Sequence, residues 1–457
     1  MKNKIHYTFL LTLTVVVVLL AMYQLPPLRL GQVPLRKVDL LSDIRYRKFK
    51  PAPIDSDTTV LPVVKPAFVD TCMRGMTCIE EYADSTMRGM SHFYAKLSHL
   101  DTLKRPVRIA YFGDSFIEAD IFTAHLREKL QRQYGGCGVG YVSMYSPIAG
   151  FRRTVKHKAE GWTRHLVSDS IGFNRSLQDL SNQYFIAQAG AYTQLEGQSR
   201  YVSLLDTCHS STLFFRSEDS LNVTPFINGV KQPVHKVRGA DYLQAITVKG
   251  KIGKVQWMID RIDSTACFYG VSMDPVKGVV VDNYSVRGSS GRQLQGIPSD
   301  VFHRYNKLRT YDLVVLQYGL NVAHGEVTNY DYYTHSMIPV VERIKRLFPQ
   351  ASVLIVSVGD REVKNEAGDL HTMPAVKSLI QYQKKLAYET KVAFWNMYEA
   401  MGGEGSIVEM VNSNPPKANL DYTHINFRGG ETLAGLLFEA MKYGQQQYEK
   451  REEYEKY

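Results

Sequence analysis

The sequence is poor in cysteine, and the few it has are not arranged for metal. Five occur in 457 residues, at 72, 78, 137, 208 and 267, with no Cys-x-x-Cys pair and no metal-ligand spacing. A cysteine-built metal site is thereby excluded. Cys72 and Cys78 could bridge in an oxidising compartment, which the sequence leaves open. No run of basic residues interleaved with aromatics occurs either, which argues against a nucleic-acid reader. The excess of 55 Lys and Arg over 45 Asp and Glu, a net +10, still favours polyanions or anionic membrane surfaces. Tryptophan is scarce as well, with three in the chain. Finally, no charge interrupts Ile5 to Met22, and no small-x-small cleavage site follows, since Tyr23-Gln24-Leu25-Pro26-Pro27 comes next.

That uncharged run behind Lys2 and Lys4 is just long enough to span a bilayer core of about 30 Å. The expectation is an uncleaved anchor over 1–23. Flanking charge does not settle orientation, because Lys2, Lys4 and the amino group roughly balance Arg29, Arg36 and Lys37. Residues 24–78 follow, with prolines at 26, 27, 34, 51, 53, 62 and 66 and no periodicity, and read as a semi-extended spacer.

The body reads as α/β. Arg108–Phe112 is a strand-like run, with residues 79–99 before it expected to be helical. Val279–Val281, Leu313–Leu316, Val353–Val356 and Val392–Trp395 are further apolar runs. Amphipathic segments separate them: Ile338, Val341, Lys345 and Phe348 share one helix face, with the Lys interrupting its apolar side, Val376, Leu379, Ile380 and Leu386 another, and Leu433, Leu436, Leu437, Ala440 and Met441 a last one. Five strands alternating with helices imply a parallel sheet covered on both faces. Residues 151–272 break this rhythm with short alternating pieces such as Tyr201–Leu205, Thr212–Arg216, Tyr242–Val248 and Val255–Ile259. An inserted β-sandwich is the economical reading. The expected segments are therefore 1–23, 24–78, 79–150, 151–272 and 273–457.

Active-site clefts in such sheets form outside the carboxyl ends of the strands. Gly113-Asp114-Ser115 follows the first strand; Gly288, in "DNYSVRGSSG", follows the second; Gly319-Leu320-Asn321 follows the third. Asp421 and His424, in "DYTHINF", precede the final helix. Each has a plain alternative. Ser115 can cap a helix, the glycines can be ordinary turn residues, Asn321 can cap, and an Asp–His pair at i,i+3 can be a surface contact. Their joint arrival at strand ends of one sheet favours chemistry.

With these blocks the sequence resembles the SGNH (GDSL-type) hydrolase superfamily over roughly 80–150 and 273–445. The resemblance implies a flavodoxin-like three-layer α/β/α fold and ester hydrolysis without a cofactor or metal. It casts Ser115 as nucleophile, His424 as base and Asp421 as the acid orienting it. The Ser115 and Gly288 amides and the Asn321 side chain would form the oxyanion hole. One departure is visible: the third block usually reads Gly-x-Asn-Asp, and Val322 stands after Asn321 here. An insert after the first block, preceded by "GDSFIEAD" and "GGCGVGY", is similar to that of bacterial peptidoglycan O-acetylesterases, whose insert is similar to carbohydrate-binding modules. Trp162, Trp257 and several Tyr are its possible sugar platforms, or its core. The implied activity is O-acetyl removal from a cell-envelope polysaccharide. The body would lie in the periplasm, tethered to the inner membrane. Acyl transfer to a sugar hydroxyl, beside a membrane-bound O-acyltransferase, and glycan binding without catalysis are the alternatives.

Overall fold

The computed structural model describes residues 3–24, 29–30, 33–34, 68–83, 89–169, 171–261 and 265–456. They fall in two compact units, 1–66 and 67–457. In the first, Asn3–Gln24 forms helix α1, whose described side chains are exposed. Among the described residues no helix is long and apolar enough to cross a membrane, so the expected anchor rests on sequence alone. Residues 35–67, most of the expected spacer, lie outside the described residues.

In the second unit five strands form one parallel sheet: β1 (Val107–Gly113), β2 (Val279–Ser285), β3 (Leu313–Gln317), β4 (Ser352–Val356) and β5 (Ala393–Trp395), in spatial order β2-β1-β3-β4-β5. Every residue of β3, β4 and β5 is buried, as expected of strands covered on both faces. One layer holds α2 (Ser91–Ser98), α3 (Thr123–Tyr134) and α9 (Phe427–Lys456). The other holds α4 (Ser299–Arg309), α5 (Asp331–Leu347) and α6 (Pro374–Thr390). Short helices α7 (Met397–Met401) and α8 (Ser406–Asn412) follow β5. The strand order reverses between β1 and β3, the switch point at which open α/β sheets form their crevice.

Two local expectations change. Helix in 79–99 is confined, among the described residues, to Ser91–Ser98, because Glu80 pairs with Phe394 and extends the edge of the sheet at β5. Residues 68–78 dock on the body rather than continuing as spacer: Thr77 O accepts the Trp395 Nε1–H at 3.0 Å, and Cys72 and Cys78 form a disulfide with Cα atoms 5.9 Å apart.

The insert is one continuous ten-stranded sheet, antiparallel throughout, running from Gly140–Ser143 to Cys267–Asp274. Its long strand Gln183–Gly197 pairs with Val155–Leu166 along its length and changes partner on its other side, from Cys267–Asp274 to Lys254–Arg261. The sheet thus curls over its own core of Leu213, Phe215, Val223, Val255, Trp257, Phe268 and Val271. Trp257 is fully buried and donates its Nε1–H across that core to Ser211 Oγ at 3.1 Å, so it is no sugar platform. Trp162 packs edge-on against Phe268, 5.2 Å between centroids, and donates to Tyr192 O.

Buried charge joins insert and body. Arg309 of α4 donates to both carboxylate oxygens of Asp274, at 2.7 and 3.0 Å, and both of Asp282, at 2.8 Å each. Asp120 accepts from Thr123 and, at 3.3 and 3.4 Å, from Arg127 on the body side. From the insert side it accepts Arg152, at 2.6 and 2.9 Å, and Thr154, at 2.6 Å. These cations hold its carboxylate far below the usual range despite its burial.

Candidate active site

The chain leaves β1 through Gly113, where any Cβ would stand 2.8 Å from the Gln317 carbonyl oxygen of β3. Only a residue without a side chain lets the two strand ends close this tightly. Asp114 then turns the chain by accepting the Phe116 N–H on Oδ1 at 3.0 Å. A short 3₁₀ turn, Glu118–Asp120, separates this corner from α3, whose N-cap is Phe122. Ser115 therefore caps no helix, and its hydroxyl is free for another partner.

That partner is His424. Ser115 Oγ lies 3.1 Å from His424 Nε2, and His424 Nδ1 lies 2.8 Å from Asp421 Oδ2. The network assigns the Nδ1–H to Asp421 and leaves the Nε2 lone pair facing the serine hydroxyl. Asp421 Oδ1 accepts the backbone N–H groups of Thr423 and His424, each at 3.0 Å. Burial pushes the Asp421 carboxyl up, but these hydrogen bonds from His424 and Thr423 outweigh it and hold it below its ordinary value. The loop is pinned by the bridge between Ala418 and Ile425 and by Tyr422 O accepting the Glu362 N–H at 3.0 Å.

The loop after β2 lies alongside, because Val286 N–H donates to Gly113 O at 3.0 Å. Ser289 N–H closes a turn onto Val286 O, and Gly288 stands in it at φ +79°, exposed. Among the described residues its N–H donates to nothing. Asn321, after β3, directs its Nδ2 to Ser289 O at 3.0 Å and to Asp114 Oδ2 at 3.4 Å. The second contact is long, so that proton is the one a substrate oxygen can compete for. Ser115, Gly288 and Asn321 thus stand at the ends of three adjacent strands, the first two loops hydrogen-bonded together and Asn321 bonded to the second.

Asp114 is almost fully buried, and burial pushes its carboxyl up to about 6 against the N–H of Phe116, the charge of His424 and the backbone N–H groups of Leu320 and Gly319. It organises the turn and Asn321 and does not contact the Ser115 hydroxyl. Among the described residues no three His, Cys, Asp or Glu side chains converge as a metal-holding group.

Sequence reasoning missed several groups here. Arg287 forms an ion pair with Glu118, three residues past Ser115, through Nε at 3.0 Å. Asn283 donates to Ile117 O at 2.7 Å and to Asp120 Oδ1 at 3.0 Å, holding the loop that follows the serine. Nothing in their local spacing announces these pairings. A cavity of about 310 Å³ lies between the body and the insert, reaching Glu118, Val286 and Arg287; another of about 470 Å³ reaches Phe427, three residues past His424. A third, of about 510 Å³, sits by the disulfide and α9, away from these residues.

The doubly wound sheet is the three-layer α/β/α fold that the motifs led one to expect, with the motif residues in the loops at its strand ends. A solved structure described as a peptidoglycan O-acetylesterase in action has the same fold, at a TM-score of 0.66 and 21% identity, covering 80% of this chain and 99% of its own. An active-site mutant of a family two carbohydrate esterase from Clostridium thermocellum, in complex with a cello-oligosaccharide, is also similar, at a TM-score of 0.27 and 11% identity, over 62% of this chain and 98% of its own. No protein-family model matches the chain, and no curated protein matches it.

Proposed function

We propose that the chain is a serine esterase that removes O-acetyl groups from a cell-envelope polysaccharide such as peptidoglycan. The observation that carries this reading is the relay Ser115–His424–Asp421, at 3.1 and 2.8 Å, standing beside Gly288 and Asn321 at the switch point of the sheet. A serine hydroxyl is a weak nucleophile and needs an adjacent base. As Ser115 Oγ bonds to the acetyl carbonyl carbon, His424 Nε2 takes its proton. The carbonyl oxygen becomes an oxyanion facing the Ser115 and Gly288 amides and the Asn321 amide, where one donor is typically worth about 2.7–4 kcal/mol. Collapse breaks the bond to the sugar oxygen, which receives the proton from His424. Water then repeats the sequence on acetyl-Ser115 and releases acetate. Asp421 keeps the imidazole in the tautomer these steps require.

The test is acetate release from O-acetylated peptidoglycan by the full chain, with covalent labelling by a fluorophosphonate. Labelling of the wild type and not of Ser115→Ala supports the reading. A folded wild type that neither labels nor hydrolyses any ester overturns it. Added sugar acceptors that divert acetyl from water would convert it to acyl transfer, beside a membrane-bound O-acyltransferase.

The reading extends to location: the uncharged Ile5–Met22 run would anchor the chain in the inner membrane with the body exported. In intact cells the body should resist added protease until the outer barrier is permeabilised. Recovery of the whole chain in the cytosol would defeat this.

A further inference from the structure

The two cavities that reach neighbours of the site residues, Glu118 and Arg287 in one and Phe427 in the other, share Ala149, Arg152 and His157, so one loop of the insert borders both and together they make a two-part groove beside the site. Its charge is predominantly positive. The first cavity carries Arg152, Arg164 and Arg287 against a single carboxylate, Glu118; the second carries Arg152, Arg153, Lys156 and Lys158 against none. Some of these cations are satisfied: Arg152 by Asp120, Arg287 by Glu118 and Lys156 by Glu196. Among the described residues Arg153 and Arg164 form no ion pair with a carboxylate, and Lys158 acts on Glu196 only from a distance, without a direct ion pair. His157 adds no charge at neutral pH, because burial pushes it down to about 4, against its bond to Met144 O and with help from the charge of Arg152.

Aromatic rings interleave with these cations. Phe151 is 55% and Tyr201 46% exposed, unusual for side chains of this size. Phe151 packs on Phe427, 5.2 Å between centroids, and the Arg153 guanidinium stands 4.0 Å from the Phe427 ring and 5.1 Å from that of Tyr201. Exposed rings offer flat faces to the C–H faces of sugars, and the cations beside them suit carboxylates. The groove is also built in advance. Arg152 and Thr154, at the root of its bordering loop, are tied to the buried Asp120.

We propose that this groove binds an anionic, carboxylate-bearing glycan beside the site, with the exposed Phe151 and Tyr201 against sugar rings and Arg153, Lys158 and Arg164 receiving carboxylates. The inference rests on the esterase reading and narrows it: the O-acetylated polymer presented to Ser115 is acidic, and a neutral one is a poor substrate. The experiment compares kcat/KM of the full chain on O-acetylated peptidoglycan and on the same polymer with its carboxylates amidated. The wild type should prefer the native polymer by about tenfold or more, mostly through KM. In the triple variant Arg153→Gln, Lys158→Gln, Arg164→Gln that ratio should fall to about one, and because it is a ratio, a partly misfolded preparation does not distort it. A wild-type ratio near one, or a variant that keeps the wild-type ratio, overturns the proposal. Co-sedimentation of the full-length Ser115→Ala chain with the two polymers reads the same preference without turnover. A failure of the esterase reading and a failure of this one are therefore told apart.

Discussion

The parallel sheet of the body and the antiparallel sheet of the insert bury their residues differently. In β3 and β4 every position is buried, because helices cover both faces. In the insert strand Val155–Leu166 only Val155 is fully buried, and exposure alternates along the first half. A strand buried on both faces can offer functional groups only past its end, and there the body carries Ser115, Gly288 and Asn321. A strand with one open face can offer a surface, and there the insert carries Lys156 and Lys158, with the half-buried Arg164 lining the neighbouring cavity. The comparison assigns chemistry to the strand ends of one sheet and binding to the face and bordering loop of the other, with Arg309 and Asp120 fixing the two together.

The largest effect that tests this division is on the strand ends. Ser115→Ala and His424→Ala should each lower kcat on the order of 10⁴-fold or more while far-UV circular dichroism stays native, and the double variant should be little worse, because the residues act as one unit. Full additivity in steady-state kinetics would dissolve the relay. Next comes the joint between the two sheets. Arg309→Met strands the buried carboxylates of Asp274 and Asp282, and should destabilise the protein by about 3–5 kcal/mol in denaturant titration. A change below about 1 kcal/mol would mean that insert and body do not depend on this ion cluster.

A smaller effect should come from Asn321→Ala, on the order of 10²–10³ in kcat, as one oxyanion donor is lost. An effect on KM alone would place Asn321 in ground-state binding instead. Smallest is the effect of pH on the buried corner. Asp114 has its carboxyl raised from 3.8 to about 6 in the fold, so the folded protein binds this proton more tightly than the unfolded chain does. Its contribution to stability is therefore fullest below about pH 4 and is lost as the pH rises through 6, by about 3 kcal/mol at most. Asp114→Asn should flatten the stability–pH profile over that window relative to wild type. Parallel profiles for the two proteins would show that Asp114 is ionised throughout.

Much of this was legible before the structure. The runs Leu313–Leu316 and Val353–Val356 announce buried strands because nothing polar interrupts them, and Gly-Asp-Ser, Asn321 and the Asp–His pair mark the ends of the connecting segments. Less legible were the edges. Gly140–Ser143 and Cys267–Asp274 join the inserted sheet although each lies at or past an expected boundary, since a strand's partner is chosen by distant residues. The helix expected across 79–99 shortens for the same reason: Glu80 finds Phe394, 314 residues away in the chain. The alternation of residues around Trp257 reads as a half-buried strand, but only the curl of the sheet decides that the indole faces inward to Ser211.

The sequence by itself determined the sheet, its helical cover and the identity of the groups that could do chemistry, because hydrophobic period and turn residues act over a few neighbours at a time. Only the tertiary structure decided that Ser115 is no helix cap, that Nε2 of His424 comes within 3.1 Å of its hydroxyl, and that Arg309 and Asp120 each receive charges from both body and insert. Those contacts join residues tens to hundreds of positions apart. Their geometry is set by how strands order themselves and how the insert packs, which no local pattern of residues encodes.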